Sequence, residues 1–193
     1  MKRFLIMISV LTLCLTFLLV IPAMAVVPTV STSRSGPDSV DIGTTGEVDE
    51  WTITIEICPD DEDLEEVIVQ GGIGADLVIT EVVDGTPAVD YPMEKKTEQI
   101  VLVDGKEVTL IKKGGKMGAT IVKWDIGTLF VSNGCLTLVL TVETGLNPKD
   151  KQEFTSAELG HELDGGFSAT YTYDGIEYET LETEPLTVDV EED

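Results

Sequence analysis

The chain has 193 residues, 42% of them hydrophobic, and it carries 12 basic residues against 36 acidic residues. This length suffices for one domain with its own core, without help from metals or many disulfides. Contacts to phosphate groups need clustered lysine and arginine, so a net charge of −24 argues against nucleic acid and against an anionic membrane surface as partners.

The first 25 residues have the pattern of a secretory signal peptide. Lys2 and Arg3 precede an uncharged apolar stretch from residue 4 to residue 21, and Ala23 and Ala25 supply the small residues of a cleavage site. We therefore predict an N-terminal signal-peptide helix and an exported protein, either secreted or retained at the cell surface. The alternative is an uncleaved signal anchor that holds a single-pass protein at the membrane, since a bilayer is spanned by roughly 20 apolar residues.

Cleavage after residue 25 removes two of the 12 basic residues and no acidic residue, which brings the net charge to −26. Such a charge favours solubility on a cell exterior. The next segment, 26–37, is rich in Ser, Thr and Pro and predicts either a flexible lead or a first edge strand. Residues 38–193 then predict one domain.

After the predicted signal peptide, the main structural signal is the alternation of apolar and polar residues with a period of two. In WTITIEIC, which begins at Trp51, every second residue is apolar, and CLTLVLTV, which begins at Cys135, repeats the pattern. Strict alternation predicts strands with one buried and one exposed face. Further strands are predicted near 39–43, 65–70, 76–83 and 118–126 and in the C-terminal PLTVDVEED.

Two Asp-Gly pairs predict β-hairpins. Asp104-Gly105 and Asp174-Gly175 each lie between two alternating runs. In the run before Asp174, the residues Phe167, Tyr171 and Tyr173 are expected to face the core. This dipeptide suits the two-residue turn whose twist matches that of the flanking strands. Many short strands with turns between them predict an all-β fold, an antiparallel β-sandwich with an acidic C-terminal end.

Cys58 and Cys135 are the two cysteines after the leader, and an exported protein meets an oxidising environment. Both are expected on the outward face of their strands, one at the end of its strand and one at the beginning. If the two strands are antiparallel neighbours, these positions meet, and a disulfide between them is predicted. The alternative is two separate thiols.

The stretch VKWDIGTLFVSNGCLTLVL, from Val122 to Leu140, combines an inward Trp, a Gly bend, a short loop and a Leu/Thr strand. This order resembles the DUF11-type repeat domain, and WTITIEI followed by LEEVIVQ resembles the earlier strand pair of that family. The resemblance implies an immunoglobulin-like β-sandwich of prokaryotic surface proteins, with a wall, stalk or surface-layer role and no catalytic residues. Residues 89–116 depart from the pattern and are interpreted as a hairpin insertion.

The loop PDDEDLEE is the candidate cation site, because calcium takes six to eight oxygen ligands and this loop offers Asp60, Asp61, Asp63 and Glu65. The loop lacks EF-hand spacing, so a solvated acidic loop is the competing interpretation. His161 is the only histidine, and no Gly-x-Ser-x-Gly step accompanies it.

We therefore predict a non-catalytic structural or adhesive domain of the cell surface or envelope, with no required cofactor. Its expected partners are other envelope or surface proteins, or a second copy bound through edge strands. A calcium-dependent extracellular binding module is the first alternative, and an extracellular hydrolase is the second. Membrane contact is expected only through residues 1–25, and only if this segment is not cleaved.

Overall fold

The computed structural model describes residues 26–42, 49–74, 77–83, 89–90, 98–112, 120–144 and 161–192. Within these ranges the regular structure consists of β-strands and one 3-10 turn at Val131–Asn133. The predicted signal-peptide helix and its cleavage residues, Ala23 and Ala25, lie outside the described residues. The strands are β1 (Thr29–Ser35), β2 (Ser39–Ile42), β3 (Glu50–Cys58), β4 (Leu64–Ile73), β5 (Leu77–Val83), β6 (Val89–Asp90), β7 (Glu98–Val103), β8 (Lys106–Lys112), β9 (Thr120–Leu129), β10 (Leu136–Thr144), β11 (His161–Glu162), β12 (Asp164–Tyr173), β13 (Ile176–Glu179) and β14 (Thr187–Glu192).

The first sheet has five strands in the order β1-β3-β10-β5-β6. Strands β3 and β10 pair antiparallel, from Leu136 opposite Ile57 to Glu143 opposite Glu50. Side chains alternate between the two faces of a strand, so the apolar residues of both strands share one face, as their sequences predict. The buried apolar side chains of this pair are Trp51, Ile53, Ile55, Ile57, Leu138, Leu140 and Val142.

The second sheet has six strands in the order β13-β12-β4-β9-β8-β7, and its pairings are antiparallel. The inward residues Val122, Trp124 and Ile126 of β9 are buried. The hairpin interpreted as part of an insertion at 89–116 is present as β7 and β8, and β8 pairs along β9 while β7 pairs along β8. It extends the sheet by two strands and gives it β7 as its edge.

Both predicted hairpins are present. Asp104 and Gly105 connect β7 to β8 with φ values of 49° and 73°, and Asp174 and Gly175 connect β12 to β13 with φ values of 50° and 74°. Positive φ at both central residues is what a two-residue turn of this kind requires. The Asp-Gly pairs therefore determine where these strands reverse.

One pairing departs from the antiparallel prediction. A three-stranded sheet has the order β11-β14-β2, and in it β14 runs parallel to β2, from Asp189 beside Ser39 to Glu192 beside Ile42. Neighbours joined by a tight turn are antiparallel. Strands β2 and β14 come from opposite ends of the domain, so no turn fixes their relative direction.

Both large sheets contribute to one hydrophobic core. Among its largest buried side chains are Trp51 of β3 and Phe167 and Tyr171 of β12. The Trp51 indole Nε1 donates a hydrogen bond to the carbonyl oxygen of Pro37 at 2.8 Å. Burial of apolar surface stabilises the fold by about 25 cal/mol per Å², so these aromatic residues are major contributors. The prediction that Phe167 and Tyr171 face the core is confirmed.

Candidate functional site

The predicted disulfide is present between Cys58 and Cys135, with a Cα–Cα distance of 4.1 Å. Register explains it: Ile57 lies opposite Leu136, so the next residue of β3 meets the residue that precedes β10. The bridge lies on the outward face of the five-stranded sheet, and Cys135 is exposed. It therefore staples the two central strands from outside the core.

Glu56 shares this outward face with the disulfide, two residues before Cys58 on β3. Its Oε1 atom lies 3.1 Å from the Sγ atom of Cys58. Among the residues that the structure describes, Glu56, Cys58 and Cys135 are the one group of three whose carboxylate or sulfur atoms lie within 4.8 Å of one another, and both sulfur atoms are bonded in the disulfide. Sequence reasoning missed Glu56, although its two-residue spacing from Cys58 in a strand was a usable signal.

The acidic loop between β3 and β4 does not bring its four predicted calcium ligands together. Asp60, Asp61, Asp63 and Glu65 are all exposed, and they form no group of three ligand atoms within 4.8 Å in the described part of the chain. Oδ1 of Asp63 instead accepts a hydrogen bond from the backbone N–H of Val131 at 2.8 Å. Calcium binding stays a prediction.

Two further carboxylates of this loop region also contact β12. The hydroxyl of Thr172 donates to Oε2 of Glu66 at 2.8 Å, and Glu66 itself has a φ of 51° where the register of β4 against β9 shifts. The charge of Glu62 is the largest cause that raises the pKa of the Tyr173 hydroxyl above 10.0. The loop is thus tied to two neighbouring elements, the turn at Val131 and strand β12.

An open groove of about 610 Å³ crosses the outer face of the six-stranded sheet. Its wall includes four acidic residues contributed by three strands, and three threonines lie between them. Its lining residues are Glu65, Glu66, Ile68, Asp125, Gly127, Thr128, Thr170, Tyr171, Thr172 and Glu177. An acidic groove of this kind disfavours anionic ligands, because like charges repel at close range.

A second acidic group lies on the outer face of the five-stranded sheet. Glu143 of β10 pairs directly with Glu50 of β3, and Glu81 lies on β5 opposite Thr141. Partial burial, followed by the charges of Glu50 and Glu81, raises the pKa of Glu143 above 4.5. These strands therefore hold like charges side by side, which opposes their pairing.

The edge of the six-stranded sheet at β7 exposes apolar surface. Ile100 and Leu102 are 56% and 67% exposed, and they lie two residues apart on the same outward face. Within the described ranges β7 has one strand partner, β8. No described strand pairs with the other side of β7.

The single histidine, His161, lies in β11 opposite Val188. Its side chain lies outside the described atoms. No described helix is long and apolar enough to cross a membrane.

Comparison with solved structures gives distant likenesses. The chain is similar to the major pilin subunit of Bacillus cereus, at 13% identity and a TM-score of 0.43 over 85% of this chain and 40% of that chain. It is also similar to the N-terminal domain of a Streptococcus gordonii adhesin, at 10% identity and a TM-score of 0.38 over 84% of this chain and 32% of the other.

A similar likeness extends to an enzyme, an exo-β-N-acetylglucosaminidase of Vibrio harveyi. The identity is 13% and the TM-score 0.36, over 85% of this chain and 18% of the enzyme. Thus the chain spans less than half of the length of each of these three proteins. Likenesses at this level assign neither a function nor a partner to the chain.

No protein-family model matches the chain, and no curated protein matches it. The resemblance to the DUF11-type repeat therefore still depends on the quoted motifs alone. The architecture that it implied, two packed sheets of mainly antiparallel strands around one core, is present.

Proposed function

We propose that this chain is a non-catalytic domain of an exported cell-surface or envelope protein and that its role is structural or adhesive. The observation that carries the proposal is the β7 edge of the six-stranded sheet, which presents apolar side chains and, among the described strands, is paired on one side only. The expected partners are other surface proteins or a second copy of the chain, bound by strand addition.

The composition of β7 supports this role. Natural edge strands are commonly protected by lysine, proline, bulges or short length. Strand β7 has six residues, EQIVLV, and neither a lysine nor a proline interrupts it. By contrast, β6 at the end of the other sheet has two residues, and β1 has the polar sequence TVSTSRS with Arg34 near its end. Of these edges, β7 offers the most apolar surface to a partner strand.

A second copy can pair with β7 in a register that matches its side chains. Antiparallel addition centred on Val101 places Ile100 of one copy beside Leu102 of the other, on the outer face. The same register brings Glu98 near Asp104, and each copy carries a net charge far below zero. Self-association is therefore expected to strengthen with salt, whereas binding to a basic partner is expected to weaken.

The test compares Leu102→Lys with the control Leu181→Lys, whose side chain is 92% exposed outside the strands. Neither change removes buried contacts, so both variants should fold. Sedimentation at low and high salt should show self-association for the wild type and the control but not for Leu102→Lys. Crosslinking in the native envelope should map partner contacts to residues 98–103 in the same two proteins.

Two outcomes would reject the proposal. If Leu102→Lys associates as the wild type does, β7 is not the binding edge. If the chain is monomeric at every salt concentration and forms no crosslinks in the envelope, the structural or adhesive role is wrong. Export is checked separately by intact mass, which should correspond to a chain that begins at Val26; a mass that retains residues 1–25 would indicate a signal anchor.

A further inference from the structure

The loop between β9 and β10 presents two adjacent apolar side chains to solvent. Phe130 follows β9, and Val131 begins the 3-10 turn. Their side chains are 44% and 40% exposed. We call these two residues the apolar tip. The apolar tip belongs neither to the β7 edge nor to the lining of the acidic groove, so neither of those surfaces accounts for its exposure.

The loop that carries the apolar tip is held in one conformation from several directions. Two backbone hydrogen bonds of 3.1 Å close the turn onto the carbonyl oxygens of Phe130 and Val131. The Val131 N–H donates to Oδ1 of Asp63 at 2.8 Å, and the disulfide fixes Cys135 at the end of the loop. A surface that is already fixed in its binding conformation loses little conformational entropy on association.

An unneutralised acidic loop lies beside the apolar tip and is joined to it by the bond from Val131 to Asp63. Its four consecutive carboxylates are all exposed. Across the described ranges, the one salt bridge within 4.0 Å joins Arg34 to Asp38, so no lysine or arginine there neutralises these charges. The four residues of this acidic rim are Asp60, Asp61, Glu62 and Asp63.

We propose that the apolar tip and the acidic rim together bind a protein partner that offers an apolar pocket bordered by lysine or arginine. An exposed apolar patch with a polar rim marks interaction sites, and an aromatic residue that enters a pocket carries much of the binding free energy. In this interface Phe130 is the anchor, and the acidic rim attracts and orients the basic partner.

Charge complementarity selects this occupant over two others. A second copy would bring the same acidic rim to the contact, and like charges repel at close range. An anionic bilayer would be repelled for the same reason. The apolar tip is therefore a binding surface separate from β7, and this inference does not rest on strand addition at that edge.

The probe that tests the proposal is a library of random peptides displayed on phage, each closed by a disulfide so that it can form a pocket. Peptides are selected on the purified chain with a chelator present, so that the calcium prediction for the same acidic residues plays no part. The selected peptides should combine apolar residues with lysine or arginine. Fluorescence anisotropy of synthetic copies then measures the Kd for the wild type and for each variant.

Phe130→Ser should raise the Kd of the selected peptides by about thirtyfold, as expected for the anchor of an interface. Leu181→Ser is the matched control, since that side chain is 92% exposed outside the strands, and it should leave the Kd unchanged. Leu102→Lys should also leave it unchanged, so this proposal and strand addition at β7 can fail separately. Val131→Ser is a second variant of the apolar tip, and circular dichroism checks that each variant is folded.

The contribution of the acidic rim is measured by removing two of its charges. Asp60→Asn/Asp61→Asn should raise the Kd by about two- to fivefold at low salt and by less at high salt, because the charges are exposed and screened. Glu182→Gln/Glu184→Gln removes the same number of charges at exposed positions outside the strands. This control should bind as the wild type does.

Three results would overturn the proposal. The first is a selection in which no peptide loses affinity for Phe130→Ser and Val131→Ser. The second is a set of selected peptides without basic residues, or an equal Kd for the two charge variants, because either would remove the acidic rim from the interface. The third is sedimentation with vesicles of phosphatidylcholine, alone or mixed with phosphatidylglycerol, that depends on Phe130; this would assign the apolar tip to a lipid surface.

Discussion

Gly71 of β4 lies directly against the ring of Phe167 on β12. The two residues are partners in the antiparallel register, and a Cβ atom on Gly71 would overlap Cδ1 of Phe167 and the carbonyl oxygen of Gly166. Phe167 is among the largest fully buried side chains of the core. The missing side chain at Gly71 therefore creates the space that this aromatic ring occupies.

Gly71→Ala should destabilise the protein by about 1–3 kcal/mol, the usual range for overpacking a core. The neighbouring Gly72 is the matched control, since no heavy atom lies within 4 Å of a Cβ at that position. Gly72→Ala should change stability by about 0.5 kcal/mol or less. Urea unfolding curves measure both; equal midpoints for the two variants would contradict the described packing of Phe167.

Asp63→Ala should lower the free energy of unfolding by about 1 kcal/mol, because it removes the acceptor for the Val131 backbone N–H. The exposed Asp60 of the same loop supplies the control, and Asp60→Ala should be nearly neutral. Melting curves with calcium and with a chelator separate this structural role from a calcium site. A destabilisation of Asp63→Ala that appears only with calcium would instead favour the calcium prediction, since a ligand of the folded state raises its stability.

Glu143→Gln should stabilise the protein at neutral pH and have no effect in acid. The raised pKa of Glu143 means that the folded chain holds this proton at pH values where the unfolded chain has lost it. Stability therefore falls as pH rises from 4.5 through the folded pKa. Glutamine does not ionise, so the variant does not lose stability as the pH rises. Its free energy of unfolding should exceed that of the wild type by on the order of 0.2–1 kcal/mol at pH 7, as for like charges paired across strands.

Denaturant midpoints between pH 4 and pH 8 measure this difference. Glu184→Gln, at an exposed position outside the strands, is the control and should follow the wild-type curve. An advantage of Glu143→Gln that persists unchanged at the acid end would show that charge repulsion with Glu50 and Glu81 is not its cause.

The double change Cys58→Ser/Cys135→Ser should lower stability by about 4.5 kcal/mol, following the loop-entropy relation for a bridge between residues 77 positions apart. Because the bridge lies outside the core, the variant should keep the same sheets. Thermal unfolding and circular dichroism of the variant check both statements. An unchanged melting temperature would show that the pairing of β3 with β10 alone determines stability there.

Alternation and turn chemistry determined much of the fold. The inward residues of β3 and β10 follow from period-two spacing, and the turns at Asp104-Gly105 and Asp174-Gly175 follow from the conformations that these residues allow. The same register argument located the disulfide between Cys58 and Cys135. These features depend on neighbours in sequence, or on one pair of adjacent strands, so local physical chemistry is sufficient for them.

Only the tertiary structure decided which distant segments meet. The parallel pairing of β14 with β2 joins the two ends of the domain without a turn, and the bond from Val131 to Asp63 spans 68 positions. The contact between Gly71 and Phe167 likewise depends on the packing of β4 against β12. Sequence spacing determines which face of a strand a residue occupies, whereas the partner it meets is determined by sheet order, which arises from burial of the whole core.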